Sequence, residues 1–289
     1  MIISKNVEAN RLSTYGGKGV VKTLIIPENK EEFVAVIRDK GDDAFILGGG
    51  SNLIIPDGEN TKTVVSTKCL NHVEFDGDRV KVDGGARVSS LIKECRLKGL
   101  TGLEFLVFVP ASIGGAVKMN ADAFKCEIGS LITEITVLSA DGDVKTLFPP
   151  FLFSYRKGCG DVVLDVTLSL KPQDTKHIDN LLKHNLEVRH NTQPRGRSVG
   201  CTFKNVGLSA GYYIDKAGLK GERVGGAEIS TLHGNFIVNR GEGSATDFLT
   251  LVERAKTRGT GTWEGRIAMC ENVCDNILAW QKNEIDKMN

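Results

Sequence analysis

Two segments built almost wholly of small residues, "ILGGGSN" (46–52) and "VPASIGGAVKMNADAF" (109–124), limit what the first half of this chain can become. Residues without bulk let backbones approach one another, or a ligand, more closely than side chains allow. A run of glycine N–H groups can also converge into a cradle for an anion. In the first segment Gly48, Gly49 and Gly50 end an apolar run, and Ser51 and Asn52 add side-chain donors. In the second, Pro110 fixes the chain, Ala111, Ser112, Gly114, Gly115 and Ala116 are small, and Asn120 supplies an amide. The first segment is neither a dinucleotide fingerprint nor a Walker loop, because the spacing differs and no Gly-Lys-Ser/Thr follows. Two such segments in one domain can line both sides of a flat or phosphorylated ligand, or mark a close crossing of backbones.

Around them the pattern is mixed. "LIIPENKEEFVAVIRDKG" reads as a strand and then a helix capped by Asn29, with Glu32 three residues on and Gly41 at its end. "DAFILGGGSNLII" predicts strand, glycine turn, strand. "VKVDGGARVSSLIKECRLKGL" predicts a strand and a helix whose apolar face holds Val88, Leu91, Ile92 and Cys95, closed by Gly99. "LITEITVLSADGDVKTL" alternates around Asp141-Gly142 as a hairpin does. "VVLDVTLSLKP" is a further strand and "HIDNLLKHNLEVRHN" a helix. Later come a short helix in "SAGYYIDKAGLKG", two strand pieces in "AEISTLHGNFIVN", and a helix in "SATDFLTLVERAKTR" with Ser244 as cap and Asp247 at the capping-box position. A last helix is expected in "NVCDNILAWQKNEIDKM". The class is α+β.

At 289 residues about two domains are expected. The formal net charge of +1, with acidic and basic residues interspersed, offers no bulk field for nucleic acid or an acidic membrane. No signal peptide and no apolar run of spanning length is read, and the seven scattered cysteines suit reduced thiols in the cytoplasm. No metal site is expected, since "CENVC" (270–274) lacks the two further ligands a structural zinc needs.

Three places could carry chemistry. Tyr155-Arg156 in "FSYRKG" offers a guanidinium able to grip a carboxylate through two parallel bonds, or a solvated cation. His233 in "TLHGNF" reads as a satisfied structural histidine or a base. Cys201 in "SVGCTFKN" could be buried filler, a metal ligand or a proton donor.

In this order and approximate spacing, "LSTYGG", "ILGGGSNLII", "GLEFLVFVPASIGGAVKMNADAF", "YRKG", "SVGCTFKN", "AGYYIDKAGLKG" and "HGNFIVN" resemble the UDP-N-acetylenolpyruvoylglucosamine reductases, flavoenzymes of bacterial cell-wall precursor synthesis, and the chain is similar to their shorter form. The resemblance implies an FAD-binding region of the vanillyl-alcohol-oxidase type over residues 1–175, in two subdomains split near 65. An α+β substrate domain over 185–289 would follow. It implies FAD as cofactor, NADPH as co-substrate and a UDP-sugar substrate. "GGGSN" and "PASIGGA" would hold the FAD pyrophosphate and neighbouring groups, with Asn120 near.

Hydride transfer to the enolpyruvyl methylene leaves charge that a cation must stabilise and a carbon that must be protonated. Arg156 matches the family's catalytic arginine, with Tyr155 orienting the substrate. Cys201 stands where the family usually has a proton-donating serine. A thiol, with an ordinary pKa of about 8.5, is a stronger acid than an alcohol and keeps that role feasible. Lys204 would meet the substrate diphosphate and Asn205 would bond close by. The family's third catalytic group, a C-terminal glutamate, matches Glu271 best, with Glu264 a lesser candidate and Arg266 at that place in another register. The family usually has glycine where Phe108, Ala111, Asp122 and Lys125 stand, and an arginine where Gly16 follows Tyr15. Such departures leave open a relative that keeps the FAD-binding fold but has another substrate or no catalysis.

Overall fold

The structure, a computed structural model, describes residues 1–205 and 207–259. They form two compact units between which the chain passes several times. The first gathers Met1–Ser4, Thr23–Gly49 and Lys62–Arg189, and the second Lys5–Lys22, Gly50–Thr61 and the chain from His190. The chain passes from one unit to the other inside strands Ile2–Glu8, Gly19–Ile26 and Gly58–Ser66.

The first unit is organised around a five-stranded antiparallel sheet in the order Val144–Leu147, Ile132–Leu138, Val162–Ser169, Arg79–Asp83, Val73–Asp76. The alternation around Asp141-Gly142 gives the expected hairpin, Leu138 pairing with Val144 and Gly142 turning at φ +84°. Helix α1 (Lys30–Lys40) begins on Asn29, whose Oδ1 accepts from the Glu32 N–H at 2.8 Å. Its Phe33 and Val34 bury against Val65, Leu138 and Leu164. Full burial of such a side chain is worth about 1.5–3 kcal/mol. Its first residue, Lys30, reaches two buried carboxylates of the sheet, Asp83 Oδ1 at 2.7 Å and Asp165 Oδ2 at 2.6 Å, so their charge is paired rather than stranded. Helix α2 (Val88–Leu97) buries Val88, Leu91, Ile92 and Cys95 as its periodicity requires. Burial pushes the Cys95 thiol up to about 12, where it is inert filler. Helix α3 (Ile113–Lys118) packs on the same sheet, and α4 (Thr175–Thr192) ends the unit.

One expected strand does not form. After strand Ala44–Leu47, which runs parallel to Thr63–Ser66, the residues Leu53–Ile55 are buried but irregular. Their apolar character comes from burial in the second unit, where Ile54 joins the core and the Leu53 carbonyl accepts from Ser13 Oγ, and not from sheet pairing.

The second unit holds a four-stranded antiparallel sheet ordered Arg197–Cys201, Phe236–Asn239, Ala227–Ile229, Arg223–Val224. Helices α5 (Ala210–Lys216) and α6 (Ala245–Gly259) belong to it, and Phe248, Leu251, Val252 and Ala255 of α6 are buried in its core with Tyr15 and Ile54. The capping box at α6 is reciprocal: Ser244 N donates to Asp247 Oδ2 at 2.9 Å and Asp247 N to Ser244 Oγ at 3.0 Å. Asp57 adds a second cap, accepting from Ala245 N at 3.0 Å, Thr246 N at 2.9 Å and Thr246 Oγ1 at 2.7 Å. The helix expected in 272–288 lies outside the described residues.

Two exposed residues carry a local conformational cost. Phe108 and Lys125 have φ of +67° and +62°, a left-handed conformation that glycine adopts freely and that costs other residues roughly 1–2 kcal/mol. Their side chains are exposed. Lys125→Gly, after subtracting glycine's larger chain entropy, should stabilise the protein by about 0.5 kcal/mol in urea unfolding, and Lys125→Ala should give no gain. Asp57 supplies a pH-dependent test. Burial opposes its ionisation, but the N–H and hydroxyl of Thr246 and the N–H of Ala245 hold its carboxyl below the ordinary 3.8. A depressed folded value contributes stability above 3.8 that is lost as pH falls through it. Asp57→Ala should therefore cost about 1 kcal/mol near pH 7, and its deficit should shrink as pH falls below 3.8.

Candidate functional site

The two small-residue segments meet. A Cβ placed on Gly48 would lie 2.5 Å from Ser112 Oγ, and one on Gly49 would lie 2.7 Å from the Pro110 carbonyl oxygen. A side chain at Gly49 would strike backbone and one at Gly48 would displace the Ser112 hydroxyl, yet both glycines have an exposed face. Gly50 turns at φ +66°, and Thr14 N donates to its carbonyl at 3.0 Å. Ser51 and Asn52 follow in a half-buried turn; these three residues belong to the second unit, Gly48 and Gly49 to the first.

A third glycine segment, "DGGAR" (83–87), joins the first two, a partner that sequence reasoning missed. Gly114 N donates to the Gly84 carbonyl at 2.7 Å, Ile113 N to the Ala86 carbonyl at 2.9 Å, and Val88 N to the Ala111 carbonyl at 3.1 Å. The available signal is a Gly-Gly pair directly after a strand, the same local pattern as at residue 48. Ser112 is buried and its Oγ accepts from Gly115 N at 3.3 Å, starting α3. The close crossing of backbones is thus real, and it also leaves an exposed glycine backbone beside Ala111, Gly114 and Gly115, whose lack of bulk fits a phosphorylated cofactor.

Asn120 is buried and its amide is occupied. Nδ2 donates to Glu127 Oε2 at 2.9 Å and to the Ser154 carbonyl at 3.3 Å, while Oδ1 accepts from Gly129 N at 3.1 Å. Its work is to hold loops. One of them is the turn that carries Tyr155 and Arg156, closed by Ser154 N to the Lys157 carbonyl at 2.8 Å and Lys157 N back to Ser154 at 3.0 Å. Arg156 occupies that turn at φ +58°, half-buried, its Cζ 5.6 Å from the Tyr155 ring centroid. Asp122 Oδ1 lies 3.6 Å from Arg156 Nε.

In the second unit Cys201 ends its strand after a bulge. Ser198 pairs with Val238 and Cys201 with Phe236, so two residues, Val199 and Gly200, face one, with Gly200 at φ +78°. A bulge re-aims the side chain that follows it. The thiol is half-buried and in no disulfide. Beyond it the chain leaves the sheet but is still held, because Asn235 acts as a substitute strand. Thr202 N donates to the Asn235 carbonyl at 2.7 Å, Phe203 N to Asn235 Oδ1 at 2.7 Å, and Asn235 Nδ2 to the Phe203 carbonyl at 2.8 Å. Half-buried Lys204 follows, and Asn205 Oδ1 accepts from Ala210 N at 2.9 Å. Cys201, Lys204 and Asn205 therefore sit on one braced segment.

His233 braces the brace: its Nδ1 accepts from Asn235 N at 3.2 Å, and burial lowers its pKa, favouring the neutral ring. This is the structural reading of that histidine.

The "LSTYGG" segment is stitched into the same unit. Thr14 Oγ1 donates to the Ser198 carbonyl at 2.7 Å, and Tyr15 is fully buried with its hydroxyl on the Ser244 carbonyl at 3.2 Å. Where the family's arginine would follow Tyr15, another guanidinium stands. Arg197 Nη1 lies 2.8 Å from the place where a Gly16 side chain would begin. Arg156 belongs to the first unit and Cys201 to the second, while Glu271, Glu264 and Arg266 lie outside the described residues. Among the described residues no group of three or more His, Cys, Asp or Glu side chains is placed to hold a metal ion.

Residues 21–147 match the family described as "FAD binding domain", and residues 192–260 match "UDP-N-acetylenolpyruvoylglucosamine reductase, C-terminal domain". The chain is 39% identical over 251 residues to the UDP-N-acetylenolpyruvoylglucosamine reductase of Bacillus velezensis, covering 82% of each chain. It is 36% identical over 251 residues to reductase 2 of Symbiobacterium thermophilum, covering 83% of this chain and 81% of that one. The crystal structure of the Thermus caldophilus reductase superposes with a TM-score of 0.80 at 36% identity, covering 89% of this chain and 95% of that one. At this identity and coverage, with the C-terminal family match beside it, the chain belongs to the UDP-N-acetylenolpyruvoylglucosamine reductase family.

Proposed function

We propose that this protein reduces UDP-N-acetylglucosamine enolpyruvate to UDP-N-acetylmuramate, using FAD and NADPH, in the synthesis of peptidoglycan precursors. The observation that carries this reading is that both halves of one chain match: the FAD-binding family over 21–147 and the reductase's own C-terminal family over 192–260. Those bounds also support a division of roles between 1–175 for the cofactor and 185–289 for the substrate, and we read the first as two subdomains split near 65.

Bound FAD would supply the hydride relay between NADPH and the enolpyruvyl methylene. The exposed backbone of Gly48 and Gly49, with Gly50, Ser51 and Asn52 beyond them, and the small residues Pro110, Ala111, Ser112, Gly114, Gly115 and Ala116 hold its pyrophosphate and neighbouring groups. Asn120 acts by fixing the loops around them. Arg156 faces the substrate carboxylate, where negative charge grows as hydride arrives; a fixed cation there lowers the barrier more than it tightens the ground state. Tyr155 orients the substrate beside it. Cys201 gives its thiol proton to the carbon that bore the charge. Lys204 meets the diphosphate as a point charge, Asn205 bonds close by, and Glu271 is the third catalytic group.

The partners are small molecules, without nucleic acid or membrane. No helix among the described residues is long and apolar enough to cross a bilayer. The cysteines among the described residues form no disulfide, which supports a reducing, cytoplasmic setting.

The test is a two-step flavin assay on the purified FAD-loaded protein. NADPH should bleach the flavin band near about 450 nm, and the enolpyruvyl UDP-sugar should restore it. Bleaching without sugar-dependent recovery would leave the reading with a flavoprotein of another substrate. Within it, Cys201→Ser should keep substantial turnover and Cys201→Ala should lose roughly 10²–10⁴-fold. Alkylation should inactivate the wild type and spare Cys201→Ser. Equal rates for the serine and alanine variants would remove the thiol from the mechanism.

A further inference from the structure

The family resemblance puts glycine at position 122; this chain puts a carboxylate there, beside the arginine. Asp122 lies on a two-residue strand with Ala123, paired with Glu127 across a tight turn. Arg156 sits in the four-residue turn closed on both sides by Ser154 and Lys157. Asn120, two residues before Asp122, binds the Ser154 carbonyl and ties the two turns together. Neither partner is at the end of a loose loop, so both side chains start from tied-down backbone, with Asp122 Oδ1 3.6 Å from Arg156 Nε.

That distance makes an ion pair but not a hydrogen bond. Asp122 Oδ1 is itself buried and accepts no hydrogen bond among the described residues. A carboxylate held this way takes part of the guanidinium's field without being satisfied by it. It also stands at the Nε edge. A guanidinium grips a carboxylate side-on through Nε and one terminal nitrogen, or end-on through both terminal nitrogens. At Arg156 the side-on grip is contested.

We propose that Asp122 is a resident competitor for Arg156: it weakens this chain's hold on the substrate carboxylate and thereby sets its affinity for the enolpyruvyl group. The inference rests on the reading that Arg156 meets that carboxylate. Both side chains are partly exposed, 27% for Arg156 and 34% for Asp122, so water screens the competition and its size is modest.

The experiment measures affinity by calorimetry on the FAD-loaded full chain, for wild type, Asp122→Asn and Asp122→Gly. Two ligands are compared: the enolpyruvyl UDP-sugar, and UDP-N-acetylglucosamine, which has no carboxylate. Both variants should bind the enolpyruvyl sugar about five-fold more tightly than wild type and bind UDP-N-acetylglucosamine unchanged. The gain should shrink as salt is raised. Unchanged or weakened binding of the enolpyruvyl sugar, or an equal gain for both ligands, would overturn the proposal. Where wild type still shows sugar-dependent flavin recovery, that result leaves the proposed function standing. If no variant binds either sugar, both readings fall together.

Discussion

Backbone laid directly on backbone is the constraint from which the rest of the first unit follows. Gly49 presses against the backbone of the 110–112 turn and Gly114 hydrogen-bonds to Gly84, with no side chain in between, while Gly48 meets only the short Ser112 side chain. Packing of this kind has few rotamers to adjust, so the 110–114 turn takes its position from the glycines on either side of it. The five-stranded sheet supplies the footing, since segment 83–87 leaves one of its strands directly and α3 packs against it. The glycines therefore serve two ends at once: they let the turns touch, and they leave the outward face bare.

Side-chain amides do the corresponding work where turns cannot touch. Asn120 holds the Arg156 turn, and Asn235 pairs with residues 202–203 beyond the end of the sheet. Each is buried, and each uses both its donor and acceptor ends on backbone or carboxylate partners. An amide can copy the hydrogen-bond pattern of a neighbouring strand without requiring the chain to be extended. This lets Cys201, Lys204 and Asn205 follow one another on an irregular segment that is nonetheless specified.

What could be read in advance divides along physical lines. Local signals were legible: Asn29 and Ser244 start helices, Gly142 turns a hairpin, and Val88, Leu91, Ile92 and Cys95 face inward together. Each depends on neighbours within a few residues. The candidate site was legible only as residue types at familiar spacings, because its assembly depends on long-range partners. Nothing near Leu53–Ile55 says that their burial needs no strand, and nothing near Gly84 says that it will meet Gly114. Phe108 and Lys125 show the limit from the other side, since a left-handed φ is invisible where the usual glycine has been replaced.

The second unit draws on three separated stretches, and this bears on how it is made. Tyr15 and Ile54 belong to its core, and Asp57 caps a helix that begins at residue 245. A ribosome adding about 5–20 residues each second finishes Asp57 roughly ten seconds or more before that helix emerges. During that interval these apolar residues lack the α6 side chains that share their core. A fragment starting at His190 would lack them altogether, so the carboxy-terminal part of the polypeptide cannot be excised as a complete folding module.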